Sequence, residues 1–184
     1  MKKVALLTAL FFAVSICAAA QMDMGNDKKP LSPPAGAECK FSDGKTVKVD
    51  YSSPRVRGRK IFGAASDKAL VPFGEVWRTG ANAATTFVSS TNVTVGGKDV
   101  PAGSYTIFTV PTANAWTLVI SKKTGEWGTD YPGEKEDLVR VPMSVGKTSG
   151  AVENFTIGFD QGGSKCTLRM EWENTRASVE IAKK

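Results

Sequence analysis

Apolar and polar residues alternate with a period of two through most of the chain beyond residue 38. Cys39 and Phe41 alternate with polar neighbours, Ser42-Asp43-Gly44 supplies a turn, and Val47, Val49 and Tyr51 are separated by Lys48 and Asp50. This pattern predicts a hairpin with one buried face, ended by Ser53-Pro54. Thr85 to Ser89 and Asn92 to Val95 read as strands, followed by turn signals at Gly96-Gly97 and Pro101-Ala102-Gly103. Ser104 to Val110 is apolar on both faces, Tyr105 and Ile107 on one and Phe108 and Val110 on the other, which places it centrally in a sheet. Trp116 to Ser121 returns alongside it. Four further alternating runs follow: Val139-Val141-Met143-Val145, Phe155-Ile157-Phe159, Cys166-Leu168-Met170-Trp172 and Val179-Ile181. No stretch carries a helical period; Ala64 to Leu70 has room for one turn at most. Nine or ten short strands without a substantial helix predict an all-β fold, a single antiparallel β-sandwich. The short, unequal strands favour a sandwich over a barrel.

The first 37 residues break the pattern. Lys2 and Lys3 precede an apolar run, Val4 to Ile16, and Ala18-Ala19-Ala20 supplies small residues for cleavage. Residues 1–20 therefore read as a signal peptide, with Gln21 as the first residue of an exported product. The run is shorter than the roughly 20 residues a membrane span needs, and no transmembrane segment is expected. Cys17 is preceded by Ile16 rather than a small residue, which argues against a lipid anchor. Residues 21–37 are polar and rich in proline, glycine and charge, and read as a disordered lead-in to a domain over 38–182. Met22 and Met24 within it are too few for a copper site.

Loss of Lys2 and Lys3 from the 24 basic residues leaves 22 against 18 acidic ones, a net charge of +4. The only basic cluster is Arg55 to Lys60, without the basic face and stacking aromatics that nucleic acid requires. Cys39 and Cys166 remain as an even pair in an exported chain, which predicts a disulfide across the domain. Periplasm and external medium both fit.

The chain contains no histidine. Ser-His and Cys-His nucleophiles and the common zinc and copper sets fall away with it, and no glycine loop leads into a helix to cradle phosphate. No metal and no cofactor is expected. Carboxylates remain for acid–base chemistry: Glu75, Asp130, Glu134, Glu136 and Asp137 sit in or near loops. The densest group of ligand-competent residues is Trp77-Arg78-Thr79-Gly80-Ala81-Asn82. Arg78 has the planar fork that clamps a carboxylate or phosphate. Trp77 and Trp127 offer flat apolar faces, Thr79 and Asn82 offer hydrogen bonds, and Arg57 and Arg59 add positive charge nearby. The bland alternative is a core tryptophan with an arginine bonded to loop carbonyls.

Five stretches in order, Arg57 to Gly63, Val76 to Asn82, Pro101 to Phe108, Trp116 to Leu118 and Glu126 to Thr129, resemble a bacterial secreted family, domain-of-unknown-function family 2911. The resemblance covers about residues 38 to 182. It implies an exported, mostly β domain with no assigned activity, substrate or cofactor, and carries over no catalytic residue. The family motif often has a glutamate after Asn82 where this chain has Ala83, which implies either a weaker catalytic reading or a glutamate that was never essential. The expected function is a non-catalytic binding module for a small molecule or an envelope glycan. The alternatives are a histidine-free hydrolase working through carboxylates, and a structural or assembly protein with an envelope protein partner.

Overall fold

The computed structural model describes residues 30–184. The signal peptide, Cys17 and the lead-in as far as Lys29 lie outside the described residues. The strands are β1 (Pro34–Lys40), β2 (Thr46–Ser52), β3 (Phe62–Gly63), β4 (Val71–Pro72), β5 (Thr85–Ser89), β6 (Val93–Val95), β7 (Lys98–Val100), β8 (Gly103–Pro111), β9 (Trp116–Ser121), β10 (Asp137–Gly162) and β11 (Lys165–Lys183). Among the described residues the only helical pieces are single 3₁₀ turns at Ala65–Asp67 and Glu134–Glu136. The all-β, antiparallel fold expected from the alternation is present: nine strands form one sheet in the order β1-β2-β5-β8-β9-β10-β11-β6-β7. Only the two-residue ladder of β3 with β4 is parallel.

The number and length of strands differ from expectation. The runs at Val139 and Phe155 belong to one strand of 26 residues, and those at Cys166 and Val179 to one of 19. Register shifts between Lys147 and Thr156 take the place of a turn, so Gly146 and Gly150 mark bulged strand rather than its end. Asp137 to Met143 of β10 pair with β9, and the longer remainder, from Ser144 on, pairs with β11. The sheet thereby passes from one layer to the other. β1 also begins earlier than the alternation showed, within the stretch read as disordered: Pro34 pairs with Ser52 and Ala37 with Val49. Its small residues carry little hydrophobic signal, and an edge strand tolerates proline.

The inner faces of both layers meet in one core that includes Val49, Phe87, Ile107, Leu118, Phe155 and Trp172. Three features join the layers. The Cys39–Cys166 disulfide links β1 to β11. The Ile157 amide donates to the Tyr51 hydroxyl oxygen at 2.9 Å, and the buried Ser53 hydroxyl donates to the Phe155 carbonyl at 2.6 Å. β8 is central and covered on both faces, as its composition requires. Its outer face, Phe108 with Val119 of β9, carries a second cluster closed by Val76, Ala84 and Tyr131 from the loops.

Candidate functional site

The stretch from Val76 to Ala84 is held as an extension of the sheet. Trp77 exchanges both backbone hydrogen bonds with Thr109 of β8, at 2.8 and 2.9 Å, ahead of Thr85, where the pairing of β5 with β8 begins. Extended backbone sends successive side chains to opposite faces. Trp77 accordingly enters the main core, while Val76 joins the outer cluster. Arg78, the next residue along, is half-buried. The chain then turns through Thr79 and Asn82, both with positive φ (57° and 58°). Gly80 lies between them where the chains approach closely: a Cβ there would stand 3.0 Å from the Ser52 carbonyl oxygen and 3.2 Å from the Thr85 hydroxyl.

Trp77 is packed in aromatic surroundings. It stacks on Trp172 with centroids 5.8 Å apart and meets Phe155, Phe62 and Trp116 edge-on at 4.9, 5.9 and 6.3 Å. Its indole N–H donates to the Gly80 carbonyl at 3.1 Å. The bland reading of this residue is thus correct for most of its surface, yet Trp77 and Trp172 also form the inner wall of a cavity of about 380 Å³. Leu31, Leu70 and Val76 add apolar wall, Arg59, Arg78 and Asn82 add polar groups, and Glu75 is the one acidic residue among those lining it.

Among the described residues no carboxylate pairs with the cations of this cavity. Arg78 donates through Nη1 to the Gly128 carbonyl at 3.1 Å, and its buried Nε has no partner among the described residues. Burial pulls the Arg78 pKa below its ordinary value, but a guanidinium remains charged in proteins. Arg59 donates to the carbonyls of Val56 and Arg55. Neither arginine, nor Glu75, takes part in an ion pair among the described residues.

Residues 32–181 match the model of a protein family described as "Protein of unknown function (DUF2911)". The chain belongs to the DUF2911 family. No curated protein and no solved structure matches it. The DUF2911 match spans the cavity-forming loops and nearly all of the sheet, including both cysteines.

Of the residues singled out in this DUF2911 domain, Arg59, Trp77, Arg78 and Asn82 line the cavity and Arg57, Thr79 and Trp127 do not. Thr79 is wholly buried; its hydroxyl lies 3.2 Å from that of Thr109 and its carbonyl accepts from Thr85 at 2.6 Å. It fixes the turn. Arg57 is exposed and donates to the Leu31 carbonyl at 3.1 Å, fastening a wall of the cavity from behind. Trp127 is 66% exposed. Its loop is tied to the site, since the Ala84 amide donates to the Glu126 carbonyl and the Gly128 amide to that of Asn82, but that loop contributes Thr129 to the lining and the Gly128 carbonyl to Arg78 rather than the indole. Asn82 reaches the Ser52 hydroxyl at 3.3 Å. Leu31, Leu70 and Trp172 are cavity residues that the sequence did not single out; two exposed leucines in turn-rich stretches were the available signal.

The remaining carboxylates lie elsewhere. Asp137 accepts from the Tyr131 hydroxyl at 2.8 Å and from Arg140 at 2.6 Å, and Glu134 pairs with Arg140 at 3.3 Å. Burial, then the Asp137 carboxylate, hold the Tyr131 phenol above its ordinary pKa. This group anchors the 122–136 loop over Phe108. Acid–base hydrolysis needs a second carboxylate facing Glu75, and the cavity lining holds none. Among the described residues no group of three or more Cys, Asp or Glu is placed to hold a metal.

Proposed function

We propose that this DUF2911 protein is a non-catalytic binding module that takes a small molecule in the cavity beside Trp77. The observation that carries the reading is an open cavity of about 380 Å³ holding two arginines without carboxylate partners against a rigid aromatic wall. Its volume is within the range of about 300–1,000 Å³ typical of ligand pockets. Preorganisation supports it too: the tryptophan that sets Arg78 in place is locked by four aromatic neighbours, so little ordering opposes binding.

A thermal-shift screen of residues 21–184 against sugars, cell-wall fragments, carboxylates and phosphates tests this. A ligand at about a hundred times its dissociation constant stabilises by roughly 2.7 kcal/mol, a rise of roughly 5–10 °C for a domain of this size. The expected result is such a rise in the wild type, and its loss in Arg78→Ala. A rise that survives Arg78→Ala, or none in any class, would overturn the reading.

The setting proposed for this activity is outside the cytoplasm, in periplasm or medium. The basic-then-apolar start with Ala18-Ala19-Ala20 supports export, and a cross-domain disulfide is chemistry of oxidising compartments. Mass analysis of the product from an expressing bacterium is expected to find Gln21 at the N-terminus; an intact Met1 on protein confined to the cytoplasm would refute export.

A further inference from the structure

We propose that the ligand of this cavity is an organic monocarboxylate with a compact apolar body, its carboxylate held by Arg78 and Arg59. The proposal rests on the binding role given above and adds the ligand's chemistry. Three observations select this class. The two guanidinium groups stand against one acid, Glu75, so the cavity keeps an excess positive charge. Arg78 spends Nη1 on the Gly128 carbonyl and has its Nε buried, while Nη2 makes no hydrogen bond among the described residues, so the terminal end of the guanidinium is the part left for a carboxylate.

The walls are apolar. Leu31 and Leu70 are 70% and 44% exposed, two of only four large hydrophobic residues left exposed among those described, and both border this cavity. Single exposed leucines are ordinary, but two beside an unpaired arginine form an amphipathic receptacle.

Competing ligand classes fit less well. A sugar stacks on an open aromatic face and takes many hydrogen bonds, whereas Trp77 has its face on Trp172 and Asn82 is occupied with Ser52. An inorganic phosphate is usually cradled by free backbone amides. Here the amides of Glu75, Trp77 and Ala81 already donate to the carbonyls of Pro72, Thr109 and Ser52.

Calorimetric titration of residues 21–184 with matched pairs tests the proposal: 3-phenylpropanoate and octanoate, each beside its primary amide, with inorganic phosphate and a neutral disaccharide as the other arms. The acids are expected to bind at least about tenfold tighter than their amides, the scale of one charge-assisted hydrogen bond. Arg78→Gln is expected to remove that preference. Arg59→Gln, at an exposed position, is expected to weaken the acids alone and keeps the test valid should Arg78→Gln fail to fold. Amides that bind as well as acids, or disaccharide or phosphate binding lost in Arg78→Gln, would overturn the carboxylate assignment and leave the binding role standing. No binding in any arm would overturn the carboxylate assignment, while the binding role is decided by the wider thermal-shift screen.

Discussion

Removal of the Cys39–Cys166 bridge is expected to lower the unfolding free energy by about 5 kcal/mol. The cysteines are 127 positions apart. The chain-entropy relation for cross-links gives about 4.7 kcal/mol for a loop of about 100 residues, rising slowly with length. The effect is large against the roughly 5–15 kcal/mol that holds a typical domain together. It acts mainly on the unfolded chain, which is free to expand once the bridge is gone. Both sulfurs lie in the core, so alanine at both positions removes the link with little polar penalty. Urea unfolding of wild type and Cys39→Ala/Cys166→Ala, with and without reductant, measures it. The double variant should fall somewhat below wild type in reductant, since it also loses two buried sulfurs; a difference below about 1 kcal/mol between wild type with and without reductant would show that the bridge does not hold the layers.

Trp77→Ala is expected to cost about 3–5 kcal/mol, the range for truncating a buried aromatic residue. The substitution leaves a void amid Phe62, Trp116, Phe155 and Trp172, and deprives the Gly80 carbonyl of its donor. Alanine keeps the backbone bridge to Thr109, so the turn carrying Arg78 should loosen through the lost indole–Gly80 hydrogen bond and the lost packing. Trp127→Ala, at a 66% exposed position, is expected to change stability by no more than about 0.5 kcal/mol. Two tryptophans with similar neighbours in sequence thus give opposite outcomes in the same denaturation experiment. Equal losses would place Trp77 at the surface and dissolve the scaffold on which the cavity depends.

That contrast marks how far the sequence could be read. Strands with one buried face were legible wherever side chains were large: Val47, Val49 and Tyr51 in β2, and Leu168, Met170 and Trp172 in β11, are buried as their alternation requires. The disulfide was legible from an even cysteine pair and the inferred compartment. β1 was not, because Ala35 and Ala37 carry too little apolar area to stand out. The continuity of β10 was not either, because glycine and serine in a bulge look the same as in a turn.

At the site, residue type pointed to the right stretch but not to each side chain's direction. Thr79 and Arg78 are adjacent and both able to hydrogen-bond a ligand, yet one is sealed in the turn and the other borders the cavity. Only the ladder contact of Trp77 with Thr109 decides between them, and that is a pairing between residues 32 positions apart. Leu31 was invisible for the same reason: it matters through Arg57, which fastens it from another loop.

The most direct test of the account is the ¹H–¹⁵N spectrum of the arginine Nε and tryptophan Nε1 groups during titration with 3-phenylpropanoate. The Arg78 Nε is buried and unpartnered, so its resonance responds to whatever reaches the rest of the guanidinium. Saturable shifts of Arg78 Nε and Trp77 Nε1 are expected, with Trp127 Nε1 unmoved. Shifts centred on Trp127 or Trp116 with Arg78 unchanged would contradict it and place the binding surface elsewhere on the domain.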